Sequence, residues 1–450
     1  MRTSGRGVVV CTAVETAQPA PRAARRRPPG SRTAIALTAV AAAVVAWGLI
    51  ADAAGVGLGT ANPPFFLTRI PAPDPHLLWI VAFIAAVAAA AWLGRSTVPR
   101  TGFLVGATGV ALAARLALAA SRDGVTAWYS VYGLDPEAAN EYLPALPALD
   151  LGVGTFLDRF AELAPSLPIH PSAHPPGTLL LTDALGISTP EGFAALMIVA
   201  GVLAVPLTYV AARRLRMEEG RARGAALLLA LSPAAMIYGV TSTDAMFATL
   251  GLGAAVLLVG GGAASRIAGM LALAVSSFFS WALLAIGAFA AVLIALREGV
   301  ARALWVAAGA GVALLAFYGV LYAISGYDPI GFLTSASEAY ELGISRARPW
   351  GYWVLGSPVA FFVALGLPIS WYAARALGIG NQIAVALAVI VAVAALLGFS
   401  KAETERIWLF MAPLACLAAA AIVPRERLPM VLILLGAQAL VTELAMETVW

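Results

Sequence analysis

Charged residues are scarce in this chain of 450 residues: they make up 12%, while apolar residues make up 61%. A soluble globular domain is close to half apolar and a quarter charged. With so little charge and a mean hydropathy of +0.88, the chain could not cover its own surface in water. The scarcity excludes a soluble multidomain protein, a disordered chain and a coiled coil, and it predicts a polytopic membrane protein.

Cysteine and histidine are scarce as well. Cys11 lies in a polar stretch and Cys416 in an apolar run, which excludes a disulfide framework and a cysteine-based metal site. Pro171 separates His170 from His174, which argues against a helical histidine pair for zinc. No phosphate-binding glycine motif and no basic stretch interleaved with aromatic residues is present, so no nucleic-acid partner is expected.

Apolar runs dominate what is present. Residues 266–297 have a polar interruption at Ser276–Ser280 and suit two short helices. An Arg- and Pro-rich stretch over residues 1–33 predicts a disordered cytoplasmic tail, followed by a transmembrane domain over 34–450. We expect an all-α bundle of about 13 spans, with its remaining runs at 34–51, 77–93, 102–120, 192–212, 224–240, 243–262, 303–325, 351–373, 382–399, 406–423 and 428–446.

The basic residues predict the orientation. If the N-terminus is cytoplasmic and the spans alternate, most arginines lie inside and most acids outside. This orientation holds only if the run His174–Gly186 does not cross, so we expect it to be a juxtamembrane or re-entrant segment on the outer side. Two long outer loops follow, a catalytic one over residues 121–176 and a second over 326–350. We therefore expect a multi-pass protein of the cell membrane, with its chemistry on the outer face.

A first group of chemically reactive residues joins Asn140-Glu141-Tyr142 to His174-Pro175-Pro176. A carboxylate at a membrane boundary is partly desolvated and can act as a general base toward a hydroxyl group. Two prolines give a rigid entry into a helix. The alternative is that a wet, proline-rich loop contains acids and histidines without a function.

A second group, Thr241–Phe247, opens an apolar helix on the outer side. Asp244 either points into a cavity shared with the first loop or only favours the helix dipole, with Thr241 or Ser242 as the N-cap.

A third group is Lys401–Trp408, where two acids and two bases crowd the outer end of a helix. Ionisable groups at such a depth usually face a bundle interior. The alternative is an interface at which Arg406 extends toward water and forms a weak ion pair.

Three further arginines are candidates for phosphate recognition, because a guanidinium group binds phosphate oxygens in a bidentate manner. Arg115 lies near the outer end of its helix, and Arg346 and Arg348 lie in the second outer loop. The alternatives are extension to the interface for Arg115 and simple solvation for the other two.

In their order and sidedness these groups resemble the integral-membrane GT-C glycosyltransferases, especially the branch of the aminoarabinose transferases of lipid A and the protein O-mannosyltransferases. Asn140-Glu141 is similar to the family's acidic pair, and His174-Pro175-Pro176 to the segment that follows it. Thr243–Phe247 is similar to an Asp-containing start of an outer helix, and Ser276–Trp281 to a broken helix pair. The resemblance covers roughly residues 115–300, with Glu403–Arg406 as weaker support.

The resemblance implies transfer of a sugar from a polyprenyl-phosphate donor to a glycan, lipid or protein acceptor. Glu141 or Asp123 would be the base in a single inverting displacement, with Asp135 and Asp150 as rivals. Carboxylates along the outer rim would enclose the pocket, and basic groups would stabilise the leaving phosphate. The expected substrate-binding residues are Asp150, His174, Asp244, Arg346, Arg348, Lys401, Glu403 and Arg406.

The sequence is also compatible with other functions. The clustered acids are compatible with a divalent metal ion, and no other cofactor is expected. A transporter or flippase of lipid-linked glycan intermediates is the main alternative to an enzyme, and it would need discontinuous helices at the bilayer midplane. A structural subunit of an envelope complex is the third.

Overall fold

The computed structural model describes residues 28–70 and 74–448. The first helix begins at Ser31, so the last residues of the predicted tail are helical. The rest of that predicted tail, residues 1–27, lies outside the described residues, and so does Cys11.

The described chain is almost entirely helical, and the only strands in it form a small two-stranded sheet. The first helices are α1 (Ser31–Ala53), α2 (Leu77–Leu93), α3 (Arg100–Asp123), α4 (Val153–Asp158), α5 (Phe160–Leu163), α6 (Ile169–Ala173), α7 (Gly177–Ala184), α8 (Pro190–Val202), α9 (Ala204–Arg214), α10 (Glu219–Ala230) and α11 (Pro233–Thr241). They are followed by α12 (Asp244–Leu258), α13 (Ala263–Ser277), α14 (Leu284–Glu298), α15 (Val300–Ser325), α16 (Pro329–Leu342), α17 (Trp350–Leu365), α18 (Leu367–Gly378), α19 (Gln382–Leu397), α20 (Thr404–Ile407), α21 (Ala412–Ala420) and α22 (Leu428–Ala445). Strands β1 (Leu67–Arg69) and β2 (Met446–Thr448) pair antiparallel, with Thr68 opposite Glu447.

Each predicted apolar run is helical. Within the described residues, six helices are long and apolar enough to cross a membrane, or up to eight if each of two bent pairs is one span. The shorter apolar helices α2, α12, α13 and α19 have 15 to 17 residues. The prediction of an all-α polytopic membrane protein is therefore confirmed, although only part of the expected 13 runs have the full length of a span.

The helices have two kinds of surface: small residues where helices pack against each other, and large apolar side chains where helices face lipid. In α3, Ala107, Ala111 and Ala114 are buried on one face, where small side chains allow neighbouring helices to approach closely. In α15, by contrast, Leu315 and Ile324 are exposed, as expected of side chains that face lipid.

The predicted span 351–373 is not one helix, and this expectation is wrong. Its two parts, α17 and α18, meet at an angle of 118°. Between them Gly366 has φ +121°, and a Cβ atom there would lie 2.3 Å from Leu435 Cδ2, so only glycine fits this turn. The run 224–240 is bent too, by 52° between α10 and α11.

Side chains satisfy the backbone groups that these two breaks release. Ser232 Oγ, at the break between α10 and α11, donates to Leu365 O at 2.7 Å. The Gln438 amide of α22 donates to Val363 O at 2.8 Å and accepts from Leu367 N at 2.8 Å. Such pairing is needed wherever backbone leaves the helical pattern inside a bilayer, because lipid offers no hydrogen bonds.

The helix ends predicted to face outside gather at one end of the bundle, which we call the outer end. There β1 pairs with β2, and Gly177 N donates to Phe278 O at 3.0 Å. Because α7 has only eight residues, it cannot cross a bilayer of about 30 Å. This length agrees with the expected juxtamembrane segment.

Candidate active site

A short turn at the outer end brings the third group of residues together. Ala402 and Glu403 both have positive φ angles, 66° and 59°, a conformation that L-residues adopt at a cost. The turn leads into α20 and sets Glu403 beside Arg406, with 3.3 Å between Glu403 Oε2 and Arg406 Nη2. A strained turn kept next to a cluster of charges is a common feature of functional sites.

Arg406 links the third group to the second. Its Nη1 lies 3.0 Å from Asp244 Oδ2, and both side chains are buried. Glu403 in turn accepts from Arg348 Nη2 at 2.6 Å, and Arg348 Nη1 donates to Lys401 O at 2.8 Å. Asp244, Arg406, Glu403 and Arg348, which we call the ion network, thus form one continuous chain of contacts.

Asp244 is held by more than its position at the start of α12. Ser242 Oγ donates to Asp244 Oδ2 at 2.8 Å and accepts from Asp244 N at 3.1 Å. Thr243 makes no side-chain cap bond, whereas Ser242 Oγ accepts from a backbone N–H of the first turn, as expected of one of the two proposed caps. The Asp244 carboxylate itself points toward the partner charge of Arg406.

Glu141 lies beside this network, and its side chain is only 2% exposed. His170 Nε2 is 3.5 Å from Glu141 Oε1 and 3.3 Å from Glu137 Oε1. The amide of Asn140 donates to Glu137 Oε2 at 3.1 Å, so the residue before Glu141 orients a second carboxylate.

Burial raises the pKa of the Glu141 carboxyl, and the charges of His170 and Arg406 lower it in part. Glu137 and Asp244 raise it further. The mutual influence of these groups places Glu141 in the same electrostatic environment as the ion network. A carboxylate with a raised pKa is a stronger base once it is deprotonated.

Several buried polar atoms around Glu141 lack a hydrogen-bond partner among the described residues. They are Glu141 Oε2, His170 Nε2, Tyr142 OH, Thr178 Oγ1 and Thr243 Oγ1. Thr178 is near enough to affect the pKa of Tyr142, yet the two hydroxyl groups do not meet in hydrogen-bonding geometry. Unsatisfied groups of this kind are costly, and they need an explanation such as a ligand or ordered water.

His174 stands where Pro175 and Pro176 lead into α7, as expected. Its ring packs edge-on against Phe247, with 5.2 Å between centroids. Burial lowers the pKa of His174 to about 3, so its imidazole is neutral near pH 7. A neutral ring can donate one hydrogen bond and accept another.

Three predicted site residues are exposed and form no ion pair with this cluster in the described part of the chain. Asp123 is 54% exposed and pairs with Arg122 at 2.6 Å. Asp150 and Arg346 are exposed, and neither forms an ion pair within 4 Å in the described part of the chain. Of the two expected bases, only Glu141 is buried beside the ion network.

Lys401 lies at the edge of the cluster. Its Nζ donates to Ser345 O at 3.0 Å, and its backbone N donates to the Tyr340 hydroxyl at 3.1 Å. It therefore ties the second outer loop to the turn before α20.

The structure adds Glu137, His170 and Thr178, which the sequence analysis did not select for this site. It also buries Tyr142 and Glu405, which were named only as members of their groups. The sequence contained one signal for two of the added residues. Glu137 lies four residues before Glu141 and His170 lies four residues before His174, so each is close to a residue that the sequence analysis had chosen as a candidate. Arg115, which was expected to bind phosphate or extend to the interface, is instead buried between Gly201 and Gly239.

The pocket expected between the carboxylates is not an open hollow, since Glu141 and Asp244 are buried. A surface hollow of about 420 Å³ lies at the opposite, inner end, beside Arg221, Arg375 and Asn381. No group of three or more His, Cys, Asp or Glu side chains in the described ranges is arranged to hold a metal ion.

The comparisons with known proteins leave the family open. No family model matches the chain, and no curated protein matches it. Among solved structures, the crystal structure of the Archaeoglobus fulgidus oligosaccharyltransferase complex with Zn and sulfate matches with a TM-score of 0.37 and 17% identity. The match covers 59% of this chain and 44% of that one, so the chain spans less than half of that protein. A likeness of this degree assigns neither the fold nor the function. The described helices themselves define an all-α polytopic membrane protein.

Proposed function

We propose that the protein is a membrane glycosyltransferase that uses a polyprenyl-phosphate sugar at the outer face, with Glu141 as the general base. The observation that supports this most is the buried ion network at the outer end together with Glu141 beside it. Ionisable groups with perturbed pKa values that cluster in an apolar surrounding favour a chemical role.

The reaction follows from these groups. Glu141 takes the proton of an acceptor hydroxyl group while the oxygen of that hydroxyl forms a bond to the anomeric carbon of the donor sugar. The bond from that carbon to the phosphate oxygen breaks in the same step, which inverts the configuration. Preorganised cationic donors stabilise the negative charge that develops on the leaving phosphate.

Arg348 is the best placed donor for that phosphate. Its Nε is buried and has no hydrogen-bond partner among the described residues, while its Nη atoms are engaged by Glu403 and Lys401 O. The guanidinium group also lies over the Phe66 ring, 5.5 Å from its centroid. Arg406 and Lys401 supply further positive charge nearby.

The unsatisfied hydroxyl groups of Tyr142, Thr178 and Thr243 support a hydroxyl-rich ligand such as a sugar. Hydrogen bonds from such a ligand would remove the penalty of leaving these groups unpaired. Because Glu141 is buried, the acceptor reaches it only when the outer segments that cover it move apart, a step common to enzymes that exclude water.

Complementation of a deletion strain tests the proposal. We expect Glu141→Gln to lower transfer at least about 100-fold, because general base catalysis contributes factors of that order. Mass spectrometry of lipid-linked sugars would show the accumulated donor.

Two matched controls accompany this test. Glu162→Gln changes an exposed outer carboxyl paired with Arg159, and Asp123→Asn changes the rival base; both variants should restore transfer. Full activity of a normally expressed Glu141→Gln variant would contradict the role of Glu141.

A transporter of lipid-linked intermediates is the second candidate, because the breaks at Ser232 and Gly366 supply discontinuous helices. The polar groups at those breaks are uncharged and are occupied with backbone hydrogen bonds. Vesicles loaded with a labelled polyprenyl-phosphate sugar distinguish the two: sidedness changes without glycosyl transfer if the protein is a transporter.

A further inference from the structure

Glu141, His170 and Glu137 form a graded path from the protein interior toward water. Their side chains are 2%, 10% and 15% exposed, in that order. His170 Nε2 lies between the two carboxylates, 3.5 Å from Glu141 Oε1 and 3.3 Å from Glu137 Oε1. No other titratable side chain in the described ranges contacts Glu141 within 4 Å by an ion pair.

The elements around His170 hold this arrangement. His170 lies in the short helix α6, with Pro168 before it and Pro171 within it, and both rings restrict the backbone. The Asn140 amide donates a hydrogen bond to Glu137 Oε2, and Oε1 of the same carboxylate faces His170.

A buried base must lose its proton after every turnover. In the reaction proposed above, Glu141 gains one proton for each sugar transferred, and its Oε2 has no hydrogen-bond partner among the described residues. Arginine stays protonated in proteins and does not relay protons. His170 is the neighbouring side chain that touches both carboxylates, and a ring nitrogen of imidazole can both accept and donate a proton.

We propose that His170 is a positioning residue that carries the proton from Glu141 to Glu137, from which it passes to water; this inference rests on the proposed function. Nε2 of the neutral imidazole accepts the proton from Glu141 Oε1, which restores the carboxylate. The imidazolium then donates the same proton to Glu137 Oε1 and returns to its neutral form. No oxidant or co-reactant is required.

The relay acts after sugar transfer, so it separates the first turnover from the following ones. We expect His170→Gln and Glu137→Gln to leave the first turnover nearly unchanged and to lower the steady-state rate at least about tenfold, which is less than the roughly 100-fold effect of a group that transfers a proton in the transition state. The double variant should be no slower than either single one, because both act in one path. Added imidazole or another small buffer should raise the steady-state rate of the variants.

The control is His76→Gln, at an exposed histidine of the outer side. Equal losses in both phases, or a buffer-independent loss, would indicate a merely structural role and overturn the relay. In the unaltered protein, a solvent deuterium isotope effect that is larger on the steady state than on the first turnover, in which only the acceptor proton moves, gives the same test without a substitution. Absence of any transfer by that protein would instead contradict the proposed function.

Discussion

At the scale of single residues, this membrane protein concentrates ionised side chains where they are most costly. Arg348, Arg406 and Asp244 are all buried, and each has a partner of opposite charge. A buried pair adds little net stability, but removal of one partner leaves an uncompensated charge. Glu405 is the exception in this cluster, since its Oε1 accepts from Phe66 N at 2.6 Å while its Oε2 has no hydrogen-bond partner among the described residues.

Glu405 should make stability depend on pH. Burial is the main cause that raises the pKa of its carboxyl to about 7. The negative charge of Glu403 also raises this pKa, while the hydrogen bond from Phe66 N and the positive charge of Arg406 lower it in part. The folded protein therefore binds more protons than the unfolded chain between the ordinary pKa and about 7, so stability decreases as pH rises through this window. From pH 5.5 to 8 the expected loss is about 2 kcal/mol.

Glu405→Gln should remove this loss while keeping the oxygen that accepts from Phe66. Thermal unfolding in detergent at both pH values checks it: the variant should match the unaltered protein at pH 5.5 and exceed it at pH 8. Glu338→Gln, at an exposed acid, is the control and should keep the original slope. Parallel pH profiles for all three proteins would contradict the expectation.

At the scale of helices, the breaks between α10 and α11 and between α17 and α18 meet one another. Ser232 at the first break bonds to Leu365 at the second, and Gln438 of α22 bonds to both sides of the second. A sequence window cannot show this, because the apolar run 351–373 has the composition of a straight span. The turn depends on Gly366 and on partners far along the chain.

Gln438→Leu tests the importance of this junction. The substitution leaves Leu367 N without its acceptor, while Val363 O keeps its bond from Gly366 N. We expect a loss of about 1–3 kcal/mol, from one unsatisfied backbone group. Gln382→Leu at the inner end, where the amide bonds to Leu296 O in an exposed position, should cost far less. Equal thermal stabilities of the two variants would argue against the junction.

At the scale of the whole molecule, the arrangement of helix ends separates two surfaces of different chemistry. The outer end contains the ion network, Glu141 and the hydroxyl groups, while the inner end contains arginines that bind backbone carbonyls, such as Arg223 to Val98 O at 2.9 Å. That arrangement agrees with the expected sidedness, which remains a prediction, as does a cytoplasmic N-terminus.

Cysteine labelling tests this sidedness. In a Cys11→Ser background, with Cys416 fully buried, Ser188→Cys should react with a membrane-impermeant maleimide in intact cells. Ser188 follows α7 and is exposed, so its position depends on α7 not crossing the bilayer. Glu218→Cys, exposed at the inner end, should react only after permeabilisation. A protected Ser188→Cys would mean that α7 crosses and that the predicted orientation is wrong.

The sequence alone determined the class of the protein and the positions of its helices. The reason is that an apolar segment enters the bilayer as a helix because of its own local composition. It also selected Glu141, Asp244, Glu403 and Arg406, since charges are conspicuous in so apolar a chain. Only the tertiary structure showed that Glu141 is buried beside the ion network and that Asp123 is exposed, because burial and ion pairing depend on contacts across hundreds of residues. The same holds for His170, whose place between two carboxylates no spacing along the chain could have specified.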